Sequence, residues 1–150
     1  MVEEGDKAVD FTLEDQNGEE FTLSEFEGEK VLLSFHPLAG TSVCAEQMKA
    51  LDENINKFEE FDTIPVGISV DSSPAKKLWG EKLGIDELRM LSDFWPHGEI
   101  IKKYGLFRED DGFSERANIL IDEDQEIILK KVYPIGEVPG LEEIFEVLKK

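Results

Sequence analysis

The sequence predicts an α/β or α+β domain, arranged as a three-layer α/β/α sandwich with a β-hairpin at its N-terminal end. Three observations carry this. Two short apolar runs, 31–35 and 64–70, alternate with stretches of helical periodicity. Two pairs of strand-like segments, one towards each end, are joined by turn-forming residues. The resulting order is hairpin, βαβα, helix, hairpin, helix, and such mixed orders build layered folds. No internal repeat, linker or low-complexity run interrupts it, so residues 1–150 are expected to form one domain.

Each element has its own reason. Phe11-Thr12-Leu13 and Phe21-Thr22-Leu23 flank Asn17-Gly18, a tight-turn pair, and read as the first hairpin. Residues 24–28 are a short connection. The run 31–35 is brief and apolar, the pattern of a buried strand, and Pro37 ends it. A loop over 36–42 leads to a helix over 43–60. Its apolar residues Cys44, Met48, Leu51, Ile55 and Phe58 are spaced four, three, four and three, which is one helix face. The next buried strand is 64–70. Ser73-Pro74 supplies a cap followed by proline at the first helical position, so a helix runs to Leu83, before Gly84.

Met90-Leu91 opens a short strand, and 98–104 is a short helix closed by Gly105. Residues 117–121 and 126–129 pair around an acidic turn, and Glu109-Asp110-Asp111-Gly112 reads as an exposed turn. In the last helix, 141–150, Leu141, Ile144, Phe145 and Leu148 share a face. Lys149 and Lys150 sit at its carbonyl end, where cations are favoured.

Composition narrows function. The chain has 150 residues, with 16 Lys+Arg against 35 Asp+Glu and a formal net charge of −19. Phosphate binding needs a concentrated basic patch, so nucleic acid is not an expected partner. Anionic membrane surfaces are disfavoured for the same reason. No apolar run approaches the ~20 residues of a membrane span, and the acidic start leads into no apolar signal segment. A cytoplasmic protein is expected. The single cysteine excludes an internal disulfide framework and a Cys-rich zinc site, and suits a reducing compartment. His36 and His97 have no ligand spacing, and neither a metal nor another cofactor is expected. Asp122-x-Asp124-x-Glu126 lacks the glycine of a calcium loop and reads as a solvated turn.

The distinctive segment is Phe35-His36-Pro37-Leu38-Ala39-Gly40-Thr41-Ser42-Val43-Cys44. A strand feeds a Pro/Gly loop, and the loop feeds the first turn of a helix. Unpaired backbone N–H groups and the positive end of the helix dipole there favour an anion. Helix N-termini are known sites of depressed cysteine pKa. Thr41 can place its hydroxyl near the sulfur, and Pro37 stiffens the loop and removes a donor. A structural cysteine fits the same periodicity, because free cysteine is often buried and Cys44 lies in phase with the core face.

Pro37-x-x-x-Thr41-x-x-Cys44 is similar to the active-site signature of peroxiredoxins, thiol peroxidases on a thioredoxin-like fold. Leu91-Ser92-Asp93-Phe94-Trp95-Pro96-His97-Gly98 resembles the family segment that walls the active site. Arg116 resembles the family's catalytic arginine, and Asp10-Phe11-Thr12-Leu13 its opening hairpin. The resemblance implies these roles. Cys44 is the peroxidatic nucleophile, Thr41 bonds thiolate and peroxide, Arg116 stabilises the thiolate and the breaking O–O bond, and Pro37 shields the sulfur. The amides of Val43 and Cys44 complete an anion pocket, with Trp95 as a wall. Physical chemistry agrees with a cation. A thiol of pKa ~8.5 is only about 3% ionised at pH 7. A helix N-terminus alone contributes less than the ~2.7 kcal/mol of a two-unit depression.

Four positions depart from the family pattern. Gln47 stands where an acidic residue is usual, three after the cysteine. Gly40 replaces a common aromatic and predicts a more open or mobile pocket mouth. Ala45 follows the cysteine, where Pro or Thr is common. Lys49 occupies the place of one subgroup's second thiol. With one cysteine, the chain resembles one-cysteine members of the AhpE type and bacterioferritin-comigratory proteins lacking the second thiol. His36-Pro37 also resembles the Ser-His-Pro opening of other one-cysteine members; His36 either bonds near the sulfur or is a packed, satisfied loop residue.

The resemblance implies reduction of hydrogen peroxide or alkyl hydroperoxides through a sulfenic acid. An external thiol then resolves it: thioredoxin, glutaredoxin or a small thiol. It also implies a homodimer. A different class of function stays open: a redox relay or sensor, or a chaperone-like binding module, with little turnover.

Overall fold

The structure, a computed structural model, describes residues 2–150. Its centre is a seven-stranded sheet. The middle is β3 (Lys30–Phe35), flanked by β4 (Thr63–Ser69) and β8 (Arg116–Ile121). Strand β4 runs parallel to β3, with Phe35 opposite Ile68; β8 runs antiparallel, with Phe35 opposite Ala117. Beyond them lie β5 (Arg89–Ser92) and β9 (Ile127–Tyr133). The N-terminal hairpin of β1 (Thr12–Glu14) and β2 (Glu20–Thr22) pairs Leu13 with Phe21 and joins β5 at Glu14–Ser92.

Strand alternation divides the core into two layers. Val31, Leu33 and Phe35 point into one, with Phe11, Phe21, Ile101 and Tyr104. Leu32 faces the other, with Cys44, Met48, Leu51, Trp79, Ile144 and Phe145. Helices α1 (Ser42–Glu53), α2 (Ile55–Glu59), α3 (Ser73–Leu83) and α5 (Glu142–Leu148) cover that second face. Helix α4 (Glu99–Lys103) covers the first. This is the three-layer sandwich that the element order predicts. Among the described residues, no helix is long and apolar enough to cross a membrane.

Four local details differ from the sequence reading. The helix expected over 43–60 breaks at Asn54, whose Nδ2 donates back to the Ala50 carbonyl at 2.7 Å. Such side-chain bonds compete with the helical ladder, and an apolar period cannot register them. The cap of α3 is Ser72, whose Oγ accepts from Ala75 N; Ser73 is the first helical residue and donates to the Asp15 carbonyl. Strand β9 continues past Leu129 to Tyr133 through Lys130 and Lys131, a charged stretch suited to a sheet edge. The turn at 109–112 is flanked by a small ladder, β6 (Phe107–Arg108) with β7 (Phe113–Ser114).

Gly67 sets one spacing that bears on the site. A Cβ there would collide with the Met48 sulfur and lie 3.7 Å from His36 Nε2. The missing side chain lets α1 sit directly on β4.

Candidate active site

The site begins where β3 ends. His36 and Pro37 are buried, and the chain then crosses a short loop into α1. Thr41 is the N-cap residue, in extended conformation, and its carbonyl accepts the first helical bond from Ala45 N at 3.0 Å. The amides of Ser42, Val43 and Cys44 therefore precede the helical ladder and point out of the helix start. Cys44 is the third helical residue and has no accessible surface.

Opposite stands Arg116, the first residue of β8, also buried. Its Nη1 lies 3.3 Å from Cys44 Sγ and donates to Gln47 Oε1 at 2.7 Å; its Nε donates to the Ile135 carbonyl at 2.9 Å. Gln47 lies one helical turn after Cys44. Its Nε2 donates to Ser34 Oγ at 2.8 Å and to the Phe35 carbonyl at 3.2 Å. Ser34 in turn donates to Asn118 Oδ1 at 2.7 Å. The chain Arg116–Gln47–Ser34–Asn118 thus ties α1, β3 and β8 together through buried polar groups, and such groups hold their geometry when each is paired.

The other two arginines differ. Arg89 pairs with Asp15 and Arg108 with Asp111 and Glu115. Among the described residues, no carboxylate lies within ion-pair distance of Arg116. The guanidinium therefore faces the sulfur without a competing anion.

Several expected placements change. The Thr41 hydroxyl donates to the Leu38 carbonyl at 2.9 Å, not to the sulfur, because the N-cap position turns it back into its own loop. Beneath the mouth that Gly40 predicted to be more open or mobile, the sulfur is covered. Ala39 N is held by Asp71 Oδ2 at 2.8 Å, Thr41 holds Leu38, and Cys44 is covered. Val43 is half-buried beside the sulfur's helix turn. Trp95 does not wall the sulfur. It stands 83% exposed and lines a surface groove with Thr12, Pro74, Ser92 and Phe94, since Asp93 turns the chain outward there after β5.

His36 is fully buried, its ring 5.6 Å from that of Trp79, but it is not a satisfied residue. Among the described residues its Nδ1 has no hydrogen-bond partner, and its Nε2 lies 3.4 Å from Lys76 Nζ. Burial, with the charges of Lys76 and Arg116, holds its imidazole well below the usual range.

Lys76 is the residue that the sequence reading missed. It has no accessible surface and donates to the Leu91 carbonyl at 2.7 Å. Burial pulls its ammonium down to about 7, against the fields of Asp71, Cys44 and Asp93. A signal existed: Lys76, Trp79, Gly80 and Leu83 fall at helical spacing on one face, while Leu78, out of phase, is 72% exposed.

Comparison with known proteins points the same way. The AhpC/TSA family model matches residues 4–130. Alkyl hydroperoxide reductase E of Mycobacterium tuberculosis is 38% identical over 139 residues, 92% of this chain and 90% of that one. A thiol peroxidase of Staphylococcus aureus is 31% identical over 138 residues, 91% of this chain and 80% of that one. The reduced 2-Cys peroxiredoxin of Plasmodium vivax superposes with a TM-score of 0.91 at 28% identity, covering 99% of this chain and 81% of that one.

Proposed function

The chain belongs to the AhpC/TSA family, the peroxiredoxins, and from that premise we propose that Cys44 is its peroxidatic nucleophile and Arg116 the cation that activates it. The protein is a thiol-dependent peroxidase with one cysteine. The observation that carries the residue assignment is the 3.3 Å approach of Arg116 Nη1 to Cys44 Sγ at a helix N-terminus. A thiolate there meets a planar donor that can address sulfur and a peroxide oxygen together.

The cycle balances with a single protein thiol. The Cys44 thiolate attacks the terminal oxygen of the peroxide. The S–O bond forms as the O–O bond breaks, the sulfur is oxidised by two electrons, and the departing oxyanion takes a proton to leave as water or alcohol. An external thiol then displaces hydroxide from the sulfenic acid, which leaves as water, and forms a mixed disulfide. A second external thiol releases Cys44 reduced. Thioredoxin, glutaredoxin or a small thiol would serve as reductant.

Pro37 packs in the loop that leads to the sulfur, and the free amides of Val43 and Cys44 would receive a peroxide oxygen. Thr41 would reach the substrate only after its bond to Leu38 breaks. Loop 37–41 would therefore open to admit peroxide. We assign the protein to the cytoplasm and to a homodimer, which light scattering against the 17.0 kDa of one chain tests.

The decisive experiment is single-turnover oxidation by hydrogen peroxide and an alkyl hydroperoxide, read by sulfenic-acid trapping. The wild-type protein should oxidise stoichiometrically and far faster than free cysteine, and Cys44→Ser should consume no peroxide. Oxidation no faster than free cysteine would leave the relay or binding-module reading in its place.

A further inference from the structure

Behind Arg116 and Gln47 stand two polar residues to which the roles above assign nothing. Ser34 on β3 and Asn118 on β8 face each other in register across the sheet, and each is only 1% exposed. A polar group taken out of water costs free energy unless it is bonded, so two of them between apolar strands call for a reason. Strand alternation places Ser34 on the face of Leu32, beneath the helix that carries Cys44 and Gln47.

Donor and acceptor chemistry supplies the reason. The Gln47 side chain ends in one acceptor and one double donor. Arg116 can only donate, so the amide oxygen must face it, and Oε1 does, at 2.7 Å. On the other side, Gln47 Nε2 meets the Phe35 carbonyl at 3.2 Å, a group that can only accept, and Ser34 Oγ at 2.8 Å. Ser34 accepts there because its own proton goes to Asn118 Oδ1 at 2.7 Å. Every bond therefore points the same way, from Arg116 towards Asn118. Reversing the amide would set its oxygen against the Phe35 carbonyl and its NH2 against the guanidinium. A carboxylate at position 47 could hold Arg116, but its second oxygen would meet the same carbonyl and a hydroxyl already committed to Asn118. The surroundings of residue 47 thus select an amide in one orientation, and they offer the guanidinium an acceptor that carries no charge.

We propose that Ser34 and Asn118 are positioning residues: acting through Gln47, they hold the Arg116 guanidinium on the Cys44 sulfur. Ser34 is the link, since it accepts from Gln47 on α1 and donates to Asn118 on β8. With Gln47 loosened, Arg116 would keep its Nε bond to the Ile135 carbonyl, and one bond leaves the planar fork free to swing off a sulfur 3.3 Å away. The inference rests on the roles proposed above for Cys44 and Arg116, and its two readouts separate the positioning from those roles.

The test is a double-variant cycle in the full chain, read as the pH midpoint of Cys44 alkylation by iodoacetamide. Ser34→Ala should move the midpoint alkaline by about half a unit, a roughly threefold loss of thiolate below both midpoints. In a Gln47→Leu background, Ser34→Ala should move nothing further, because the residue it acts through is gone. A merely structural serine would shift both backgrounds alike. If Gln47→Leu does not fold, Asn118→Val takes its place in the cycle, and its effect and that of Ser34→Ala should not add. In parallel, NMR of 15N-labelled arginine should show the Arg116 Nη protons exchanging with water several-fold faster in Ser34→Ala. Unmoved Arg116 exchange in Ser34→Ala, or equal midpoint shifts in both backgrounds, would overturn the proposal. Faster exchange with an unmoved alkylation midpoint would uphold the positioning and sink the role given to Arg116 as the cation that activates Cys44.

Discussion

Gln47 Oε1 accepts from Arg116 Nη1 at 2.7 Å, so a neutral amide holds the guanidinium that faces Cys44. A carboxylate in that place would hold the arginine more firmly but would also spend part of its field and repel a thiolate nearby. Gln47→Glu is therefore expected to lower Cys44 alkylation at pH 7 by about tenfold, since a like charge at this range raises the cost of a second anion. The alkylation–pH profile checks this. An unchanged or faster rate would show that orientation outweighs charge here.

Arg116→Ala removes the cation that, alone among the described residues, is bonded to the sulfur, and leaves the Gln47 amide and the Ile135 carbonyl without their donor. The alkylation profile should move alkaline by at least about one unit. Single-turnover oxidation should slow by about a hundredfold or more, because the developing oxyanion also loses a preorganised donor. Stopped-flow oxidation with competing free cysteine measures it.

Lys76 predicts a pH dependence of stability. Its pKa falls from 10.5 in the unfolded chain to about 7 in the folded one. Between these values the unfolded state holds a proton that the folded state has released, so stability rises with pH across that window. Below about 7 both states are protonated and the burial penalty is full. Relative to Lys76→Met, the wild type should gain on the order of 2 kcal/mol between pH 7 and 9. Urea unfolding at each pH tests this, and a constant gap between the two proteins would refute it.

Gly67→Ala would drive a methyl group into Met48, beneath the helix that carries Cys44. Overpacking of this kind costs about 1–3 kcal/mol. The melting temperature should fall by roughly 3–10 °C for a chain of this size. Cys44 oxidation should slow as α1 is displaced from Arg116. A thermal melt together with the single-turnover rate separates the two effects.

Much of this arrangement was legible in the residues. The buried strands 31–35 and 64–70, the core face of α1 and the placement of Cys44 in a first helical turn follow from periodicity and from Pro37, Gly40 and Thr41. Arg116 was legible only through resemblance. Nothing local distinguishes it from Arg89 or Arg108, and its partner lies 72 residues away. Thr41's bond back to Leu38 and the covering of the sulfur escaped because they depend on Asp71 and on loop geometry that no period encodes. Lys76 escaped because a lysine beside a second lysine reads as surface, although its phase with Trp79 placed it inside.

The opposite directions of β3 and β8 have a consequence for synthesis. An antiparallel neighbour starts where β3 stops, which is why the first residue of β8 can reach a sulfur just beyond the last residue of β3. On the ribosome, α1 emerges long before residue 116. Until β8 has been made and has docked, the nascent chain carries an unassisted thiol, and long-range pairings of this kind form late. Peroxide reactivity would therefore appear only once the sheet closes, and a truncated or stalled chain would present Cys44 without the cation that makes it an enzyme.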